Sequence, residues 1–178
     1  MDFFDKMRGS ASSPPRVSLA EVFWSWLGAF LGIAAVAYLN YEVLAESDLL
    51  MLIGSFGASA VLLYGAPKSP LAQPRNLLGG HLVSALIGVA CHQLFSSQLW
   101  LAAALAVATA IAVMHLTKTL HPPGGATALI AVMGSEKIYA LGYLYVIFPA
   151  GAGACIMLLV ALLVNNLAKT RKYPEFWW

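Results

Sequence analysis

The chain has 178 residues, of which 60% are hydrophobic and 10% charged, with a formal net charge of +2 and a mean hydropathy of +0.77. Soluble domains carry roughly 25% charged residues, and a chain this short has too little interior to hide so much apolar surface from water, so a soluble globule is excluded. The small positive charge, with no basic run carrying interleaved aromatics, also excludes a nucleic-acid binder.

Charge is absent over 18 residues from Val22 to Leu39, over 41 from Leu77 to Thr117 and over 31 from Ile138 to Ala168. A helix needs about 20 apolar residues to cross ~30 Å of hydrocarbon. The expected fold is therefore all-α and polytopic, with about six segments.

In chain order, residues 1–18 form a polar arm with Lys6, Arg8, Arg16 and Pro14-Pro15, and without the apolar core of a signal peptide. A single membrane domain follows over residues 19–168. Segment one runs from Leu19 to Asn40, with Ser18 and Glu21 placed as a capping box. An acidic loop holds Glu42, Glu46 and Asp48. Segment two, Leu49 to Gly65, is short and interrupted by Gly54, Ser55 and Gly57, and the three prolines of the loop Ala66 to Arg75 forbid continuous helix there. Segment three spans Asn76 to Phe95, and segment four Leu99 to Thr117. Segment five, Lys118 to Gly134, contains His121-Pro122-Pro123-Gly124-Gly125. Segment six, Ile138 to Ala168, is expected to kink near Pro149. A basic and aromatic tail occupies residues 169–178.

With six crossings, Lys6, Arg8, Arg16, Lys68, Arg75, Lys118, Lys169, Arg171 and Lys172 share one side, and only Lys137 lies opposite. Cytoplasmic loops are the basic ones, so both termini are expected there. Re-entrant segments two and five are the alternative.

The two halves, 19–95 and 99–168, also echo each other. Gly57-Ala58-Ser59-Ala60 parallels Gly125-Ala126-Thr127-Ala128, and each half reads long, broken-short, long. An odd number of crossings per half inverts the second half, and inverted repeats with broken short helices are a transporter pattern. Helices starting near Gly57 and Gly125 would each cover about half a bilayer and bring their N-termini together at the midplane. Free N–H groups there favour an anion. Pro122 and Pro123 suit a helix start, Gly57, Gly124 and Gly125 permit close approach, and Ser59 and Thr127 either supply hydroxyl donors or serve helix packing.

Intramembrane ionisable residues are functional candidates. His81 and His92 share one face of segment three but stand about 16 Å apart along the axis, too far for one metal. Lys118 either reaches the headgroups or attracts an anion. His121 either caps backbone or contacts substrate. A metal or haem protein using His81, His92, His115 and His121 is the rival reading, and a non-transporting scaffold a third. Cys91 and Cys155 have no metal-ligand spacing, and no motif of a hydrolase, metalloprotease or P-loop is present. The sequence thus points to no enzyme, cofactor or resident metal.

The run His121-Pro122-Pro123-Gly124-Gly125-Ala126-Thr127-Ala128-Leu129 resembles the naming motif of the HPP family of bacterial and plastid membrane proteins. The stretches Ala66 to Asn76 leading into Gly79-Gly80-His81, and Gly54 to Ser59, are similar to the same family. The resemblance implies a membrane protein of the bacterial cytoplasmic membrane or plastid envelope, and nitrite transport as in some members. Nitrite is then the expected substrate, drawn in by Lys118 and Arg75 and held near His81, His121 and the glycines. Small-residue faces at Ala102 to Ala112 and Gly151 to Ala154 allow tight association within or between chains, and a homo-oligomer is expected.

Overall fold

The computed structural model describes residues 3–8, 11–47 and 49–178, so Asp48 of the acidic loop and residues 1, 2, 9 and 10 of the arm lie outside the described residues. No strand occurs among the described residues. The helices are α1 (Leu19–Tyr38), α2 (Ser55–Ala60), α3 (Pro74–Leu94), α4 (Leu99–Leu116), α5 (Pro122–Met133), α6 (Glu136–Leu141) and α7 (Ala152–Leu167). Wider helical turns extend α1 through Leu39–Val43 and α2 through Val61–Gly65, and lead into α7 through Val146–Gly151. Four stretches are long and apolar enough to cross a membrane, namely Leu19–Val43, Pro74–Leu94, Leu99–Leu116 and Val146–Leu167. Ser55–Gly65 and Pro122–Met133 are apolar but shorter.

The sequence places one long helix over Ile138 to Ala168, whereas the structure divides that stretch. α6 ends at Gly142, whose φ of 50° suits a residue without a side chain. Helix resumes at Val146, and Phe148 leaves helical geometry beside Pro149 (φ −140°, ψ 117°). Proline cannot donate to the preceding turn and crowds it, which accounts for the break.

The stretch before α2 is not helical, yet Met51 and Ile53 are buried. Backbone in such surroundings needs internal partners. Asn40 meets part of this need, its Oδ1 accepting from the N–H groups of Met51 (2.9 Å) and Leu52 (3.1 Å).

Small residues set the packing. α3 and α5 run parallel, with Gly80 against His121 and Gly88 against Ala128 and Ala131. Ala102, Ala106 and Ala110 of α4 are buried, so this part of the small-residue face is spent within the chain. Gly153 of α7 does the same, since a Cβ there would collide with the Phe56 ring. Tyr64 lies over Gly28 and Gly32 and donates to the Met157 carbonyl at 3.0 Å. α1 presents Phe23, Trp26 and Phe30 outward, as lipid tails favour.

The tail is docked. Arg171 Nε donates to Glu21 Oε2 at 2.8 Å, Nη1 to the Tyr64 carbonyl and Asn165 Oδ1 at 3.0 Å each, and Nη2 to the Glu21 carbonyl (3.0 Å) and Ser25 Oγ (2.8 Å). The Glu21 N–H donates to Ser18 Oγ at 3.2 Å, but the Glu21 carboxylate turns to Arg171 and Thr170, so half of the capping box forms. Tyr173 donates to the Ala72 carbonyl at 2.7 Å, and the Glu175 N–H to Gln73 Oε1 at 2.8 Å. Gln73 Nε2 in turn ties the loop to the carbonyls of Pro67 (2.9 Å) and Ser69 (2.7 Å).

Candidate functional site

α2 and α5 meet at a buried polar cluster. α2 begins at Ser55 and α5 at Pro122, ahead of the glycines where the sequence places the helix starts. The two helices do not point end to end. Ser55 faces Thr127 and Ser59 faces His121, so they pass side by side and antiparallel over about one turn.

Five side chains form one chain of hydrogen bonds. Ser55 Oγ lies 2.9 Å from Thr127 Oγ1, which lies 2.7 Å from His81 Nδ1. His81 Nε2 lies 2.8 Å from Ser59 Oγ, and Ser59 Oγ lies 2.9 Å from His121 Nε2. His121 Nδ1 meets the Leu71 carbonyl at 2.8 Å. All five side-chain-bearing residues have 0% exposure, so no bulk water reaches the cluster in this state. Ser59 and Thr127, the matched positions of the two glycine segments, thus hold the two nitrogens of one ring.

The proton positions follow from the end of the chain. A carbonyl only accepts, so His121 Nδ1 carries hydrogen. In neutral His121, Nε2 then accepts the Ser59 proton. Ser59 has no second proton, so His81 Nε2 donates to it. Neutral His81 accepts at Nδ1 from Thr127, whose hydroxyl hydrogen has Ser55 Oγ, 2.9 Å away, as an alternative acceptor. The two histidines are then neutral and in opposite tautomers.

Neighbouring residues brace the cluster. The Phe56 ring stands edge-on to His81 at 5.3 Å between centroids. Tyr145 donates to the Thr127 carbonyl at 3.0 Å. A Cβ at Gly124 would lie 2.6 Å from Ser84 Oγ and 2.9 Å from the Gly80 carbonyl, so this glycine permits α5 to approach α3.

The helix starts offer less to an anion than the sequence suggests. Pro122 and Pro123 have no N–H, and the Gly124 N–H donates to the His121 carbonyl at 2.7 Å. At α2 the N–H groups of Phe56 and Gly57 are already bonded to the carbonyls of Ile53 (3.0 Å) and Gly54 (3.2 Å). Gly57 and Gly125 face away from the cluster. Gly57 is exposed, with nothing within 4 Å of a Cβ built there, and only Val107 at 3.8 Å approaches the same point on Gly125.

Lys118 is exposed at the turn between α4 and α5, in left-handed geometry with φ 56°. The Lys118 N–H bonds the His115 carbonyl (3.2 Å), and that of Thr119 bonds the Met114 carbonyl (2.8 Å). This is a helix ending in which glycine is the usual residue at the lysine's position. Arg75 is half-buried, its guanidinium 5.6 Å above the Phe176 ring. Neither cation joins the cluster. The four histidines do not converge either. His92 stacks on Tyr139 at 4.2 Å, and His115 is exposed. Among the described residues, no three His, Cys, Asp or Glu side chains gather as metal ligands.

Residues 14–174, which include every member of this cluster, match the HPP family, transmembrane region. The chain belongs to the HPP transmembrane family. It is 51% identical over 181 residues to a transmembrane protein of Dictyostelium discoideum, with all of this chain and 58% of that protein covered. A second transmembrane protein of the same organism is 45% identical over 183 residues, with 64% of its length covered. This HPP chain therefore spans about six tenths of the length of these curated relatives. No solved structure matches it.

Ser55, the Leu71 carbonyl and Tyr145 escaped sequence reasoning. Ser55 carries a usable signal, since it precedes Ser59 by one helical turn and shares its face. Backbone carbonyl partners leave no trace in residue identity.

Proposed function

We propose that this HPP protein moves a small inorganic anion, nitrite first among candidates, across the membrane, with Ser59, His81, His121 and Thr127 forming its central site. The observation that carries the reading is the polar chain closed inside an apolar bundle where two half-length helices cross. Intramembrane ionisable residues facing a bundle interior commonly mark substrate paths. The resemblance to HPP members associated with nitrite adds the substrate. Binding is assigned here to side-chain donors and not to helix N-termini, because the prolines of α5 leave no N–H groups to offer. Lys118, at the basic and cytoplasmic or stromal face, raises the local anion concentration. Nitrite uptake into proteoliposomes, with nitrate, formate and chloride as competitors and protein-free vesicles subtracted, tests the reading. Saturable uptake inhibited by the closest anions is expected, and uptake equal to that of empty vesicles contradicts it.

A second copy of the chain is the proposed neighbour of the outer face of α2. Gly57, Ala58, Val61 and Gly65 are exposed there, beside an apolar groove of about 380 Å³ against α1. Gly57→Leu has room within one chain, so the expected outcome is an unchanged melting temperature and a smaller assembly by light scattering in detergent.

A further inference from the structure

The hydrogen-bond chain has one place where a proton can be added without moving a heavy atom. Thr127 Oγ1 lies 2.7 Å from His81 Nδ1 and also 3.3 Å from the Pro123 carbonyl. If a proton arrives on Nδ1, the Thr127 hydroxyl hydrogen swings from the ring to Ser55 Oγ at 2.9 Å or to that carbonyl. Thr127 then accepts from His81 while donating to Ser55 or to Pro123, so the new N–H and the hydroxyl are both paired. His121 has no such freedom. Its Nδ1 is committed to the Leu71 carbonyl, and Ser59 Oγ has only the two histidines as partners. A proton on His121 Nε2 leaves the Ser59 hydrogen without an acceptor.

A charge on His81 needs a counter-charge, and this interior supplies none. The faces toward His81 are Ser55, Phe56 and Ser59 from α2, His121 and Thr127 from α5, and Met114 of α4 through Ser84. Tyr145, ahead of α7, reaches the Thr127 backbone. None of them is acidic, and α2, α3, α4, α5 and α7 contain no Asp or Glu. An unpaired buried charge is strongly disfavoured.

We propose that the site binds proton and anion together, the proton on His81 Nδ1 with Thr127 as its switch, which makes the protein a one-to-one proton–anion symporter. This rests on the anion-transport reading above and adds the coupling to it. The proton comes from the aqueous phase and returns to it with the anion, and no bond other than the N–H forms or breaks. An anion oxygen takes the place of one hydroxyl as acceptor of a ring N–H, so the loaded site is neutral overall. By linkage, each partner strengthens binding of the other by the same factor. The apparent KM for nitrite therefore falls as pH falls, by at most about tenfold per unit, the mass-action limit for one proton.

Electroneutrality gives the test. Proteoliposomes are given nitrite under a potassium-valinomycin potential at equal pH, and separately under an acid-outside gradient at zero potential, with protein-free vesicles subtracted to remove nitrous acid leakage. The expected result is uptake accelerated by the pH gradient and indifferent to the potential. His81→Gln keeps one donor for Ser59 and one acceptor for Thr127 but takes no proton. It is expected to elute and melt like the parent and to lose the response to the pH gradient. Uptake driven by an inside-positive potential and not by pH overturns the symport while leaving anion transport standing. A pH response retained in His81→Gln also overturns it, because the proton then rides elsewhere. Uptake no greater than in empty vesicles under both gradients removes the transport reading and the symport with it.

Discussion

Two buried polar clusters hold this molecule together, and they are built on opposite principles. At one edge of the bundle, Arg171 is a permanent charge whose donors meet Glu21, Ser25, the Tyr64 carbonyl and Asn165. At the centre, His81, His121, Ser59, Thr127 and Ser55 are neutral, and one hydroxyl has a second acceptor within reach. The first cluster has a single arrangement, because a planar guanidinium with all its donors engaged cannot turn without losing several bonds. The second has two arrangements of hydrogen on the same heavy atoms. Rigidity comes from charge with every valence used, and responsiveness from neutrality with one bond to spare.

Substitutions separate the two roles. Arg171→Leu leaves Glu21 without its partner and frees the tail, so the largest stability loss is expected here, about 3 kcal/mol, at the low end for a broken buried pair because Glu21 is partly exposed. Thermal unfolding in detergent reads this loss, and the surviving folded fraction should transport with a KM close to that of the parent. Ser59→Ala inverts the pattern. It strands a donor on His81 and an acceptor on His121, costing about 1–3 kcal/mol, while nitrite uptake is lost. Equal stability losses with equal transport losses in the two variants would erase the distinction between clamp and site.

Lys118 sharpens the comparison with a smaller effect. It is a charge in a position that favours glycine, on the surface and without a partner in the cluster. Lys118→Gly relieves the left-handed strain and should stabilise the protein by up to about 1 kcal/mol. It also removes the cation at the mouth, so the apparent KM for nitrite should rise, more at low salt than at high. A raised melting temperature with an unchanged KM at every ionic strength would make the lysine a bystander.

Much of the site was legible in the sequence, but its orientation was not. The echo of Gly57-Ala58-Ser59 in Gly125-Ala126-Thr127 singles out two turns of helix that meet in the buried cluster, yet the close-approach role falls to Gly124, Gly80 and Gly88 and not to Gly57 or Gly125. Two positions along a helix are roughly 200° around it, so turning Ser59 and Thr127 inward turns those glycines out. His81 stands out as an intramembrane histidine, but its partners come from residues far apart in the chain, and spacing within one helix says nothing of them. Counting positive charges puts Arg171 on the basic side without revealing that it is buried and bonded to Glu21. The break of the last segment at Gly142 was hidden because a charge-free stretch reads as continuous, whatever its backbone does.

In the proposed symport, the neutral chain on His81 is where substrate and proton meet. Nitrogen-15 NMR of histidine-labelled protein in bilayers reads ring protonation directly, with His81→Gln and His121→Asn assigning the signals. Without nitrite, His81 is expected to be protonated at Nε2 alone and His121 at Nδ1 alone. With saturating nitrite, His81 should become doubly protonated while His121 stays unchanged. A His81 signal that remains a neutral tautomer at nitrite concentrations saturating transport would rule out His81 as the place where the proton rides.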